Sequence, residues 1–148
     1  MRPSKHEYFM DIASVVSSRA TCCRRAVGCV LVNKKGHIIG TGYNGPARGL
    51  PHCEGDNKCQ GADLPSGQGL SVCEAIHAEQ NALLQCPDVE DIYWVYVTTK
   101  PCEHCVKMLM NTGAKTIIFG EDYPNETKSL WERCPERKMV RLNEALQD

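Results

Sequence analysis

Aromatic side chains are scarce in this 148-residue chain, at 6% with two Trp and two Phe, and neither sign of charge prevails, since 17 basic and 18 acidic residues leave a formal net charge of -1. A surface that grips a nucleic-acid backbone needs a basic field, and one that holds splayed bases needs aromatic platforms. Their shortage argues against a polynucleotide partner. No apolar run approaches the roughly 20 residues that span a bilayer, and Met1 to Met10 lacks the apolar core of a secretion signal. The expectation is a soluble, cytoplasmic protein. No internal repeat or linker interrupts the chain, so 148 residues, 42% of them hydrophobic, fit one domain over 1–148 with one core.

Cysteine is what the chain has in excess. Ten thiols in a reducing compartment make a poor disulfide framework and point to metal binding or chemistry.

Ser4 with Glu7 has the capping-box spacing, and Tyr8, Phe9, Ile12, Ala13, Val15 and Val16 place apolar groups on one face of a helix over Lys5 to Ala20. Val27 to Asn33 and His37 to Thr41, separated by Lys35-Gly36, predict a hairpin. From Gly42 to Gly69 the chain is rich in Gly, Pro, Asp and Asn, a loop long enough to be functional or pinned. Helical spacing runs from Cys73 to Cys86, a buried strand from Ile92 to Thr99, a helix from Pro101 to Thr112 closed by Gly113, and a strand from Thr116 to Gly120. Ser129 to Cys134 is expected to be helical, Met139 to Leu142 a short strand, and Asn143 to Gln147 a last helical turn. An initial hairpin followed by alternating strands and helices predicts an α/β fold, a three-layer α/β/α sandwich on a mixed central sheet.

Two strings carry chemistry: His77-Ala78-Glu79 and Pro101-Cys102-Glu103-His104-Cys105. Cysteines three apart on the first helical turn share a face, where the dipole and free N–H groups favour thiolates. With the His77 imidazole they supply three of the four ligands of a tetrahedral zinc ion, leaving one position for water, as in catalytic sites. Glu79, two residues from a ligand, stands where a general acid and base is needed. H-x-E followed by P-C-x-x-C is the known signature of zinc-dependent nucleobase deaminases, and both strings match that motif in full and in order. The competing arrangement is a closed site, with His104 or another cysteine as fourth ligand.

The chain resembles the deoxycytidylate (dCMP) deaminase family of the cytidine deaminase-like fold over about Ala20 to Pro124. The resemblance is carried by Cys22-Cys23-Arg24-Arg25-Ala26-Val27-Gly28, Gly42-Tyr43-Asn44-Gly45, His77-Ala78-Glu79-Gln80-Asn81-Ala82 and Pro101-Cys102-Glu103-His104-Cys105. It implies hydrolysis of dCMP to dUMP and ammonia, supplying dUMP for dTMP synthesis. Glu79 would take a proton from water attacking C4 and pass it to N3. It implies also that Asn44 bonds the sugar, Arg24 reaches the 5′-phosphate, Tyr123 packs against base or sugar, and Ala78 contacts substrate. Relatives often carry a second zinc, which implies a site among Cys22, Cys53, Cys59 and Cys73. Spacing does not separate Cys22 from Cys23 or His52 from Cys53. Cys29, in an apolar strand, is expected in the core, with Cys86 and Cys134 structural or incidental.

The resemblance further implies a hexamer activated by dCTP with Mg and inhibited by dTTP, with the regulator site around Gly42, Tyr43 and Gly45. Pro46-Ala47 and Glu74-Ala75 depart from what relatives often show there. The rival activities are deamination of a free nucleoside, deamination of a tRNA or DNA base, and a non-enzymatic two-zinc module.

Overall fold

The computed structural model describes residues 1–21, 25–52 and 75–146. In chain order its elements are α1 (Lys5–Ser17), β1 (Gly28–Asn33), β2 (Ile38–Tyr43), β3 (Gly45–Pro46), β4 (Ala75–Ile76), α2 (Ala78–Gln85), β5 (Ile92–Thr99), α3 (Glu103–Met110), β6 (Thr116–Glu121), α4 (Thr127–Trp131), β7 (Lys138–Arg141) and α5 (Leu142–Ala145). A five-stranded sheet runs β2-β1-β5-β6-β7. In it β1 is antiparallel to β2 and β5, while β5, β6 and β7 are parallel. Among the described residues no helix is long and apolar enough to cross a membrane.

β1 shows why there are three layers. All six of its residues are buried, and because side chains alternate along a strand its two faces feed two cores. Cys29 and Leu31 pack with Ala78 and Ala82 of α2, Val106 and Leu109 of α3, and Trp131 of α4. Val30 and Val32 pack with Phe9, Met10 and Ala13 of α1 and Ala145 of α5. The mixed α/β/α sandwich expected from the sequence is the fold observed, and Cys29 lies in its core.

Several boundaries differ from the sequence expectation, each for a local reason. α1 stops at Ser17 and not Ala20, because the hydroxyls of Ser17 and Ser18 turn back to the carbonyls of Ser14 and Val15 at 2.6 and 2.5 Å and compete with continued helix. Its buried face holds Phe9, Met10 and Ala13, whereas Tyr8 and Val15 are exposed. The second hairpin strand shifts to Ile38–Tyr43. Helical spacing predicts helix from Cys73, but Ala75–Ile76 pairs as a strand with Gly45–Pro46, and α2 begins only at Ala78. The next helix starts at Glu103 and ends at Met110, since Pro101 and Cys102 are still extended. α4, β7 and α5 each begin earlier than expected.

Candidate active site

Close approach sets the place of α2. A Cβ on Gly42 of β2 would meet the Ala78 carbonyl and the Ala82 nitrogen, so only glycine lets the helix backbone lie on the strand. The Asn81 side chain then donates to the Tyr43 carbonyl at 2.8 Å. On the other side, Gly45 pairs with Ile76, which delivers the next residue, His77, to the N-cap of α2. The His77 N–H is satisfied by the Gln80 side-chain carbonyl at 2.9 Å. α3 starts the same way, with Cys102 as its N-cap in extended conformation.

These two starts bring three ligand atoms together. His77 Nδ1 lies 3.4 Å from the sulfur of Cys102 and 3.4 Å from that of Cys105, and all three atoms fall within 4.8 Å of one another. Arms of about 2.0 Å to nitrogen and 2.3 Å to sulfur give a tetrahedral N···S edge of about 3.5 Å. The spacing and the donor set therefore fit zinc. Cys105 is fully buried and Cys102 partly so. His104, on the same helix, is exposed, and among the described residues no fourth His, Cys, Asp or Glu joins the group.

Electrostatics show how tightly the cluster is coupled. The Cys102 thiol is pulled down to about 3, first by a hydrogen bond from Cys105 and further by His77. The Cys105 thiol is pushed up by the same bond and by burial. His77 is raised by its bond to Cys102 against the opposing effect of burial. The three groups thus compete for protons at the point where a cation would sit.

Glu79 occupies the first turn of α2 with only 4% of its surface exposed. Burial pushes its carboxyl up to about 7, against the lowering effects of a backbone N–H and of His77. A carboxyl that holds and releases a proton near neutrality is suited to general acid and base work.

Two further segments are tied to the strands and to the helix starts by hydrogen bonds. Asn44, buried, accepts from the Val27 N–H at 2.8 Å and donates to the Arg25 carbonyl at 2.6 Å, so its amide ties the segment before β1 to the end of β2. Tyr123 lies in the segment after β6, its ring centroid 5.2 Å from the Arg25 guanidinium carbon. That segment is latched to the metal-ligand string: Asn125 and Thr127 both donate to the Pro101 carbonyl, at 3.2 and 3.1 Å. Lys100, nearly buried, donates to the Asn125 carbonyl at 3.1 Å and pairs with Asp122 at 3.8 Å. Sequence reasoning does not single out Asn125, Thr127 and Lys100, which hold the segment after β6 to Pro101; the one available signal is a polar Asn-x-Thr turn soon after a strand.

The structure brings His77, Glu79, Cys102 and Cys105 together, with Ala78 buried beside them; Asn44 is bonded to the segment before β1, and Tyr123 stacks under Arg25. Of Gly42, Tyr43 and Gly45, expected at a regulator site, Gly42 is required by the α2 backbone that lies against it, and a Cβ on Gly45 would force the Thr21 hydroxyl to move. Arg24 and the expected second-zinc cysteines Cys22, Cys53, Cys59 and Cys73, with the alternative Cys23, lie outside the described residues. His52, the other alternative, is exposed, and Cys86 and Cys134 are partly buried free thiols.

Similar proteins share this arrangement of sequence and fold. The family model described as "Cytidine and deoxycytidylate deaminase zinc-binding region" matches residues 3–121. The deoxycytidylate deaminase of Saccharomyces cerevisiae is 36% identical over 133 residues, 87% of this chain and 41% of that protein. The deoxycytidylate deaminase of Mycobacterium phage D29 is 36% identical over 127 residues, 82% of this chain and 98% of that protein. The chain therefore spans about two fifths of the yeast relative and nearly all of the phage one. The structure of dCMP deaminase from cyanophage S-TIM5, in complex with dCMP and dUMP, superposes with a TM-score of 0.74 at 26% identity, covering 95% of this chain and 98% of that one. On the family match over residues 3–121, the chain belongs to the cytidine and deoxycytidylate deaminase family.

Proposed function

We propose that this chain hydrolyses dCMP to dUMP and ammonia, breaking the exocyclic C–N bond of a cyclic amidine. The observation that carries the reaction is the joint one at the helix starts: His77 Nδ1 is 3.4 Å from each cysteine sulfur, with the buried carboxyl of Glu79 on the same turn as His77. The substrate is supported by the phage relative of nearly equal length and by the dCMP- and dUMP-bound neighbour.

Zinc held by His77, Cys102 and Cys105 would supply a Lewis acid that makes water a competent nucleophile near neutral pH. Glu79 does the proton work. It accepts a proton from the attacking water and delivers it to N3, so that C4 becomes tetrahedral with its oxygen in place. It then transfers the second proton of that water to the 4-amino group, which leaves as ammonia. Burial serves this cycle, because a carboxyl pushed up to about 7 binds the proton long enough to hand it on. On the same reading Asn44 bonds the sugar, Tyr123 packs against base or sugar, and Ala78, buried between His77 and Glu79 in the chain, contacts the substrate.

The same reading extends to a second zinc among Cys22, Cys53, Cys59 and Cys73, to a cytoplasmic homohexamer, and to activation by dCTP with Mg and inhibition by dTTP near Gly42, Tyr43 and Gly45. These rest on the family resemblance alone.

The test is ammonia release from dCMP, cytidine and deoxycytidine by the zinc-loaded protein, each with and without dCTP and Mg, with Glu79→Ala as control. Turnover of dCMP above both nucleosides is the expected result. Equal turnover of cytidine, or none of the three above the control, would overturn the assignment.

A further inference from the structure

The two ligand strings are secured in different ways. His77 caps α2 and is locked by its own helix, since its N–H is bonded to the Gln80 side chain within a capping box. Cys102 caps α3 and makes no side-chain cap bond. The place of its sulfur therefore depends on the backbone that delivers it, the step Lys100-Pro101-Cys102 beyond the end of β5.

Three points on that step are bonded to the end of β6 or to the segment after it. The Lys100 N–H donates to the Glu121 carbonyl at 2.9 Å. The Lys100 ammonium donates to the Asn125 carbonyl at 3.1 Å and lies 3.8 Å from the Asp122 carboxylate. The Pro101 carbonyl accepts from Asn125 and from Thr127. The segment is itself a tight turn, in which the Tyr123 N–H donates to the Asp122 carboxylate at 2.8 Å and the Asn125 N–H to the Tyr123 carbonyl at 2.9 Å. Asn125 is thus held through its backbone by Lys100 and holds Pro101 through its side chain, so the bonds close a ring on the peptide that leads into Cys102.

Lysine is a demanding choice for this position. Its side chain is only 11% exposed, with the ammonium 5.9 Å from the Phe119 ring centroid, and an ammonium so placed needs its donors and its charge matched. Asp122 is 61% exposed, where solvent screens its attraction, which leaves the bond to Asn125 as the directed one. An apolar side chain of similar length would fill the volume and leave the Asn125 carbonyl without its donor.

On the reading of His77, Cys102 and Cys105 as zinc ligands given above, we propose that Lys100 is a positioning residue for Cys102. By gripping Asn125 it keeps the Pro101 carbonyl bonded from two sides, and so presents the Cys102 sulfur toward His77 and Cys105. Outer partners that orient a ligand in this way set metal affinity as well as activity.

The experiment measures zinc affinity by competition with a chromophoric chelator, and ligand geometry by the visible absorption of the cobalt-substituted protein. Wild type, Lys100→Met, Lys100→Arg and Asp122→Asn are each read against Cys102→Ala, which isolates this cluster. Lys100→Met is expected to weaken zinc binding about 10- to 100-fold and to alter the cobalt bands. Lys100→Arg keeps the charge and the donors and is expected to recover part of the loss, while Asp122→Asn changes little. Lys100→Met and Thr127→Val act on the same carbonyl, so their losses of affinity should overlap in the double variant; full additivity would place Lys100 outside the latch. Should Lys100→Met not fold, Lys100→Gln, which keeps a donor for the Asn125 carbonyl and loses the charge, carries the same test with a smaller expected loss. Wild-type zinc affinity and cobalt bands in the neutral variant that folds, even at a lowered melting temperature, overturn the role of Lys100 and leave the zinc site standing. A wild type that binds zinc no better than Cys102→Ala overturns the site and this role with it.

Discussion

At the start of α1, Ser4 turns its hydroxyl to the N–H of Glu7 at 3.2 Å; at the starts of α2 and α3 the same cap position is held by His77 and Cys102, whose ring nitrogen and sulfur lie 3.4 Å apart. Serine satisfies an orphan donor of its own helix, a contribution of about 0.5–2 kcal/mol. Cys102 makes no side-chain cap bond. Its side chain is directed to a partner on another helix, and the stability of α2 and α3 comes instead from burying Ala78 and Ala82 in one and Val106 and Leu109 in the other against the sheet. At Cys102 the cap position serves the site and not its own helix, whereas His77 serves both, since it shares a capping box with Gln80.

Replacing a ligand cap should have the largest effect. Cys102→Ala, or prolonged chelation of the wild type, is expected to abolish deamination while the far-ultraviolet circular dichroism stays near that of the wild type, because the two helices are held by their apolar faces. Zinc should restore activity to the chelated protein and not to the variant. Loss of helical signal on chelation would show that the metal is part of the fold and would break the contrast with α1.

Gly42→Ala attacks the packing that places α2. The added methyl meets backbone on both sides, which cannot yield as a flexible side chain would, and the expected cost is about 1–3 kcal/mol in a urea titration. Activity should fall as His77 and Glu79 move with the helix. A variant with wild-type stability and kcat/KM would show that the close approach is not needed.

Thr127→Val removes a buried hydroxyl that donates to the Pro101 carbonyl at 3.1 Å and lies 2.7 Å from Asn125 Oδ1 while keeping its volume. About 1–3 kcal/mol of stability should go with it, together with some kcat/KM, since this latch fastens the segment after β6 to Pro101, next to Cys102. Equal activity at reduced stability would confine Thr127 to the fold.

Ser4→Ala is the smallest and cleanest of the set. About 1 kcal/mol of stability should be lost, measurable by thermal or urea melting, with kcat/KM unchanged. A change in kcat/KM would couple the α1 cap to the site and blur the comparison.

The sheet and the ligand cluster are legible in the sequence because both are written locally. β1 and β5 are short runs of Val, Leu, Ile, Tyr and Trp, and alternation along them already implies two buried faces. His77, Glu79, Cys102 and Cys105 occupy two strings a few residues long, each at a helix start, so no knowledge of the fold is needed to group them. What escapes depends on partners distant in sequence. Ala75 and Ile76 follow helical spacing and are strand only because Gly45 and Pro46 lie alongside. Arg25 and Tyr123 meet across the fold, and nothing in either local sequence announces the pairing. The latch of Asn125 and Thr127 on Pro101 is a contact to a backbone carbonyl, which leaves no mark in the sequence of its acceptor. α1 ends early for a reason visible in the sequence, the Ser17-Ser18 pair, whose hydroxyls readily turn back on the helix.

On the proposed reading, Glu79 moves the proton at a site whose ligands are His77, Cys102 and Cys105. Glu79→Gln changes one oxygen to an amide in a buried carboxyl and touches no ligand, so metal content and turnover of dCMP should be measured on the same preparation. The expected result is wild-type zinc content and melting temperature with kcat lowered by at least about 100- to 10,000-fold, the range of general acid–base catalysis. Full turnover by a zinc-loaded Glu79→Gln protein would contradict the account.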